Sequence, residues 1–270
     1  MKINGWKNIL LGDIVDFVGG SQPPLSLFSS QKKPGYVRLI QIRDYKTDKY
    51  ITYIPKDFAK RFCDKKDIMI GRYGPPIFQI LNGLEGAYNV ALIKAIPKNV
   101  HNQFLYYTLK REDLFAYVEL LSRRTSGQTG IDLDNLRKYK LIIPADIKEQ
   151  SVIADILTDT DNLISSLRRL IDKKKAVKQG AMEELLTGKR RLPGFNEDWV
   201  ERRLGDIVEI KKGSTLTSNE YKNGYIPVMA GGKDYAGLHD SFNRPKWTIT
   251  ISASGASAGF VRIHPNEIFA

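Results

Sequence analysis

The sequence predicts a mixed α/β (α+β) domain, followed by a long coiled-coil-type α-helix and then the start of a second copy of the same domain. Three observations predict it. Residues 6–21 come back 193 positions later as residues 199–214, without a gap and with eight of sixteen positions identical. A period that long is not a solenoid, whose units repeat every ~20–50 residues; it marks a domain begun twice. Between the two starts, short apolar runs set off by Gly and Pro clusters alternate with a helical stretch. Finally, the stretch 149–186 holds no proline, and Gly180 is its only helix breaker.

The elements follow in order. Residues 1–146 read as the first domain. Its strands are predicted at 36–40, 67–70, 89–96 and 140–143 from apolar or alternating runs rich in Val and Ile. Gly19-Gly20, Pro23-Pro24, the stretch 71–76 and Pro144 separate them. One helix is predicted over 103–121, with Phe104, Leu105, Tyr107, Leu109, Leu114, Phe115, Val118 and Leu121 on its apolar face. Residues 147–188 read as the long helix. Apolar Ile153, Ile156, Leu163, Leu167, Leu170, Val177 and Ala181 recur at spacings of three and four, Leu185 closes the run, and Thr160 and Lys174 fill the remaining seam positions. At 1.5 Å per residue such a rod is roughly 57 Å long, and its seam needs a partner helix. Gly188 suits a left-handed helix end, Lys189 to Arg191 suit its negative pole, and Pro193 prevents continuation. The second copy opens at Trp199 within residues 189–270.

The chain has 270 residues, 42% hydrophobic and 27% charged, which is enough for real cores. Its one cysteine, Cys63, excludes an internal disulfide and fits a reducing compartment. No apolar run reaches the ~18 residues of a membrane span, and residues 1–6 lack the apolar core of a signal peptide. The expectation is a soluble, cytoplasmic protein without membrane partners. The net charge of +12 is uneven. Residues 1–146 hold 23 Lys and Arg against 14 Asp and Glu, residues 147–188 hold seven of each, and residues 189–270 hold 12 against nine. A basic excess on a folded head points to a polyanion, usually nucleic acid.

No motif supplies chemistry. Gly188-Lys189 has Glu183 where a phosphate loop needs its first glycine and Arg190 where it needs Ser or Thr. Gly74-Pro75-Pro76-Ile77 lacks the amide of an adenine-methyltransferase motif. His101, His239 and His264 are scattered, and no zinc-ligand spacing occurs. No catalytic residue and no metal site is expected.

The order of basic domain, long helix and renewed domain start resembles the specificity subunit of type I restriction–modification systems. The resemblance rests on Trp6 with Leu11-Gly12-Asp13-Ile14 and on Trp199 with Leu204-Gly205-Asp206-Ile207. It rests also on the lead into the helix, Gly127-Gln128-Thr129-Gly130-Ile131, Ile143-Pro144, Glu149-Gln150, Ile153-Ala154 and Ile156-Leu157, and on the exit Leu185-Leu186-Thr187-Gly188-Lys189. It implies two target-recognition domains, each reading one half of a bipartite double-stranded DNA target, with the helix fixing the gap. It implies methyltransferase (modification) subunits docked on this scaffold and a motor-nuclease (restriction) subunit that joins them. S-adenosylmethionine, ATP and magnesium are expected on those partners and none directly on this chain, which is expected to be no enzyme by itself. Against that pattern the second copy stops about 111 residues early and lacks a second long helix. Two outcomes follow: a truncated scaffold or interfering fragment, or a homodimer paired helix to helix.

Three loops combine flexible backbone with DNA-binding chemistry: Ser21-Gln22 with Lys32-Lys33, Arg72-Tyr73, and Arg123-Arg124 with Gln128. Arg38, Gln41 and Arg43 flank a predicted strand. Each has a purely structural alternative: loop charge for Lys32 and Lys33, an internal carboxylate for Arg72, shaping of the fold for Gln128. Arg123 and Arg124 are the strongest phosphate-binding candidates. A lone nuclease or methyltransferase and a coiled-coil scaffold without nucleic acid are the competing classes.

Overall fold

The computed structural model describes residues 5–122, 130–214 and 216–270. They form two compact units, 1–181 and 182–270. In the first, the strands and helices in chain order are β1 (Trp6–Leu10), α1 (Leu11–Ile14), β2 (Val15–Gly19), β3 (Tyr36–Ile40), β4 (Tyr53–Pro55), β5 (Phe62–Cys63), β6 (Ile68–Gly71), β7 (Gln79–Leu81), β8 (Gly86–Tyr88), β9 (Leu92–Pro97), α2 (Asn102–Leu109), α3 (Glu112–Ser122), α4 (Leu133–Arg137), β10 (Lys140–Pro144) and α5 (Ile147–Leu186).

Two four-stranded sheets carry this unit, in the orders β2-β9-β6-β7 and β4-β3-β8-β5. Strand β6 shows how they share a core. Ile68 and Ile70 pack with the helices, while Met69 between them packs with Ile40, Cys63, Tyr88 and Leu92 around the second sheet. The period-2 alternation of a strand thus buries β6 on both faces. Cys63 is buried there, and burial pushes its thiol up to about 11. A separate pair, β1 with β10, ties the first strand of the chain to the last one before the long helix.

Two differences from the sequence prediction have local causes. The strand expected at 89–96 begins at Leu92, because Asn89 closes a turn: its side-chain Oδ1 accepts the Ala91 N–H and its carbonyl accepts the Leu92 N–H. The single helix expected over 103–121 is two. Leu109 and Leu114 are both fully buried but stand five residues apart, which an unbroken helix would place on different faces. The chain breaks at Lys110-Arg111, and Asp113 takes the Arg111 guanidinium and the Leu114 N–H at the new start.

Among the described residues, helix α5 is docked by its first turns. Gln150 is fully buried; its amide donates to the Pro144 carbonyl at 2.9 Å and accepts the His101 N–H at 2.9 Å. The Trp6 indole donates to Glu149 at 3.0 Å, and the Tyr107 hydroxyl donates to Asp161 at 3.0 Å. Ile153 packs against the head's core, so the free seam starts at Ile156. Residues 162–184 are exposed on every side. Their apolar stripe is wider than the 3-4 seam in the sequence, because Leu157, Ile164 and Ile171 lie beside Ile156, Leu163 and Leu170. The helix ends at Gly188, whose φ is +72°.

The second unit holds β11 (Ile226–Val228) paired with β12 (Gly237–His239), and β13 (Ile249–Ile251) paired with β14 (Val261–Ile263). The first pair repeats β3 and β4, and Val228 bridges Phe269 in parallel as Leu39 bridges Ala87. The second pair repeats β6 and β7. Among the described residues its buried side chains are Val228, Ile268, His239 and His264, which makes a small core.

Candidate nucleic-acid interface

Arg38, Gln41 and Arg43 come together where β3 runs into the turn Ile42–Tyr45. The Arg38 guanidinium lies 3.0 Å from Asp48 and 3.9 Å from Asp44. Arg43 lies 4.0 Å from Asp44, reaches the Tyr50 carbonyl at 3.5 Å and covers the Tyr50 ring at 5.6 Å. The Gln41 amide donates to Thr52 Oγ1 at 3.1 Å. Asp44 is the buried centre; burial holds its pKa above the ordinary carboxylate value, and the Gln41 N–H and the two arginines offset only part of that rise. Two arginines thus face two aspartates, and this knot adds nothing to the basic excess. It builds the wall beside a shallow cleft lined by Ser29, Ser30, Lys49, Tyr50 and Tyr53.

The other predicted residues are dispersed. Ser21 is half-buried and its N–H donates to the Tyr88 carbonyl at 3.2 Å. Gly20 before it touches Asn89 so closely that a Cβ would sit 2.0 Å from the Asn89 oxygen. Gln22 is exposed, its amide 3.3 Å from the Pro23 carbonyl. Lys32 and Lys33 are exposed, with Lys33 over the Tyr36 ring at 5.6 Å. Arg72 and Tyr73 occupy the turn after β6, the guanidinium 5.4 Å from the Tyr73 ring. Arg123, Arg124 and Gln128 lie outside the described residues.

The stretch 46–66 was missed. Lys46, Lys49, Lys56, Lys60, Arg61, Lys65 and Lys66 are all exposed there, and so are the rings of Tyr50, Phe58 and Phe62. Cations interleaved with exposed aromatics suit a nucleic-acid surface. That alternation is readable in the sequence, but apolar aromatics read as core until their exposure is known. Among the described residues, no group of three His, Cys, Asp or Glu side chains is placed to hold a metal ion, and no helix is long and apolar enough to cross a membrane.

A basic mixed α/β head, a 40-residue helix with an apolar stripe exposed among the described residues, and a second start of the head define a duplicated-domain protein with a long helix between the two starts. Residues 3–175 and 196–270 match the type I restriction modification DNA specificity domain, and the chain belongs to that family. It is 26% identical over 233 residues to the MjaVIII type I restriction enzyme specificity subunit of Methanocaldococcus jannaschii, covering 80% of this chain and 52% of the relative. It is 28% identical over 186 residues to a putative type I specificity subunit of Mycoplasma genitalium, covering 66% and 48%. The chain therefore spans about half the length of these relatives. The crystal structure of a type I restriction–modification S subunit from M. genitalium shares the fold, with a TM-score of 0.68 at 20% identity over 100% of this chain and 72% of that one.

Proposed function

We propose that this chain is a non-catalytic DNA-recognition subunit of a type I restriction–modification complex. Residues 1–146 read one half of a bipartite target, residues 147–188 set the spacing, and residues 189–270 begin a second head. Methyltransferase subunits dock on the scaffold and a motor-nuclease subunit joins them, bringing S-adenosylmethionine, ATP and magnesium. The observation that carries this reading is a basic head tied rigidly to a helix whose apolar stripe has no cover among the described residues.

The occupant of that stripe is a second copy of this chain, laid antiparallel. Residues 147–166 hold one Lys and four acids, while residues 167–186 hold six Lys and Arg and three acids. Antiparallel copies set each acidic half against a basic one; parallel copies set like against like. Nine apolar side chains from Ile156 to Met182 are each about half exposed. Covering the rest contributes about 1 kcal/mol apiece. Summed over two helices, this exceeds most of the ~4–15 kcal/mol lost on association.

Light scattering should give a dimer for the wild type and a monomer for L163E/L170E; a wild-type monomer refutes the pairing. Co-expression with methyltransferase subunits, followed by mapping of methylated adenines, tests the larger reading. New methylation at a split motif supports it. Pairing without methylation supports instead a scaffold or interfering fragment.

A further inference from the structure

The turns that close β6–β7 and β13–β14 share their length, a closing bond and two left-handed positions, and they carry different side chains. In each the seventh residue after the accepting carbonyl closes the turn: the Phe78 N–H donates to the Gly71 carbonyl at 2.9 Å, and the Gly259 N–H donates to the Ser252 carbonyl at 2.8 Å. The left-handed positions match as well. The third residue is Gly74 at φ +100° in one and Gly255 at φ +77° in the other; the seventh is Phe78 at +58° and Gly259 at +82°. The side chains do not match. The first tip reads Arg72-Tyr73-Gly74-Pro75-Pro76-Ile77-Phe78, and the second reads Ala253-Ser254-Gly255-Ala256-Ser257-Ala258-Gly259, with no charge and no ring.

Arg72 is unusual within its unit. Among its described arginines, Arg38, Arg43, Arg111 and Arg137 each lie within 4.0 Å of an aspartate, and Arg61, Arg168 and Arg169 are exposed. Arg72 is half-buried, has no acid partner among the described residues, and its buried Nε has no hydrogen-bond partner. A half-desolvated cation without a partner is costly unless a ligand supplies acceptors. The backbone that carries it is anchored: the Arg72 main-chain N–H donates to the Ala91 carbonyl at 2.8 Å, Phe78 and Ile77 are buried in the core, and the guanidinium lies by the Tyr73 ring. A planar fork matches two acceptors, whether phosphate oxygens or the edge of a guanine; its place at the tip of a hairpin rather than along a flank favours the base edge.

We infer that this tip reads base identity in the first domain and that Arg72 pairs with the O6 and N7 acceptors of a guanine in the major groove. The counterpart tip, lacking any such group, reads no guanine in this way. The inference rests on the DNA-recognition reading above.

The test is selection of bound duplexes from a randomised library by the full chain, as wild type, R72K and R72A, each checked for folding by its melting curve. The wild type should enrich a G·C pair at a position where both variants lose at least about fivefold of the preference, other positions being kept. R72K carries the test should R72A not fold. Uniform weakening over all sequences by R72A, with a shallower salt dependence and with R72K intact, makes Arg72 a phosphate contact and overturns the inference. Unchanged selection by both variants overturns it and leaves DNA recognition standing. A wild type that selects no sequence overturns both.

Discussion

Residues 6–21 and 199–214 share half their residues and fold differently. In the first stretch Leu11 and Ile14 are 0% and 2% exposed, between two paired strands. In the second, the aligned Leu204 and Ile207 are 62% and 63% exposed, and one 3-10 turn is its only regular element. The difference is one of partners. β1 pairs with β10 and β2 with β9, more than 70 residues away, and the described residues hold no counterparts of β9 and β10 for the second copy. Where the partner is local, as in β13–β14, the second copy does form the hairpin. The same letters therefore make a strand only when a distant neighbour completes it.

Hydrogen exchange gives the largest contrast. Amides of β1 and β2 should exchange at least about a thousandfold more slowly than those of residues 200–212, matching an opening free energy of ~4 kcal/mol or more. Equal rates in the two stretches would remove the comparison. Next comes truncation of the aligned isoleucines. I14A should cost ~2–5 kcal/mol in denaturant unfolding, while I207A should stay within ~0.5 kcal/mol. A large cost at Ile207 would mean that the second copy is packed after all.

The long helix, β3, β6 and β10 were legible because each carries its own periodicity. The double helix at 102–122 was not, since its break follows from a core register that only the folded sheet defines. Arg38 and Arg43 illustrate the same limit at the candidate site. They look like DNA ligands beside a strand, and only the fold brings Asp44 and Asp48 to them. Arg72 is the reverse case, an arginine for which an internal acid was a reasonable guess and to which the fold brings none among the described residues.

The smallest effect concerns pH. His264 is fully buried, with Nε2 beside Thr250 Oγ1 at 2.9 Å, and burial lowers its pKa below the ordinary 6.5, helped by Arg262. A lowered histidine pKa contributes stability that is present above 6.5 and lost as pH falls through the depressed value. In the first unit, Asp113 is depressed by Arg111 and Tyr139, so its contribution is present above the ordinary 3.8 and fades only as pH falls below that. Limited proteolysis from pH 7.5 to 5.5 should speed cutting in residues 216–270 severalfold and leave the first unit unchanged. H264N should flatten that response.

Cys63 has a practical bearing on all of this. It is the only thiol in the chain, it is buried, and it is hard to ionise, so the native protein should be silent toward maleimide dyes. A single cysteine placed on the bare half of α5 would then be the sole label, and spectroscopic distances between labels on associated copies would report their mutual direction.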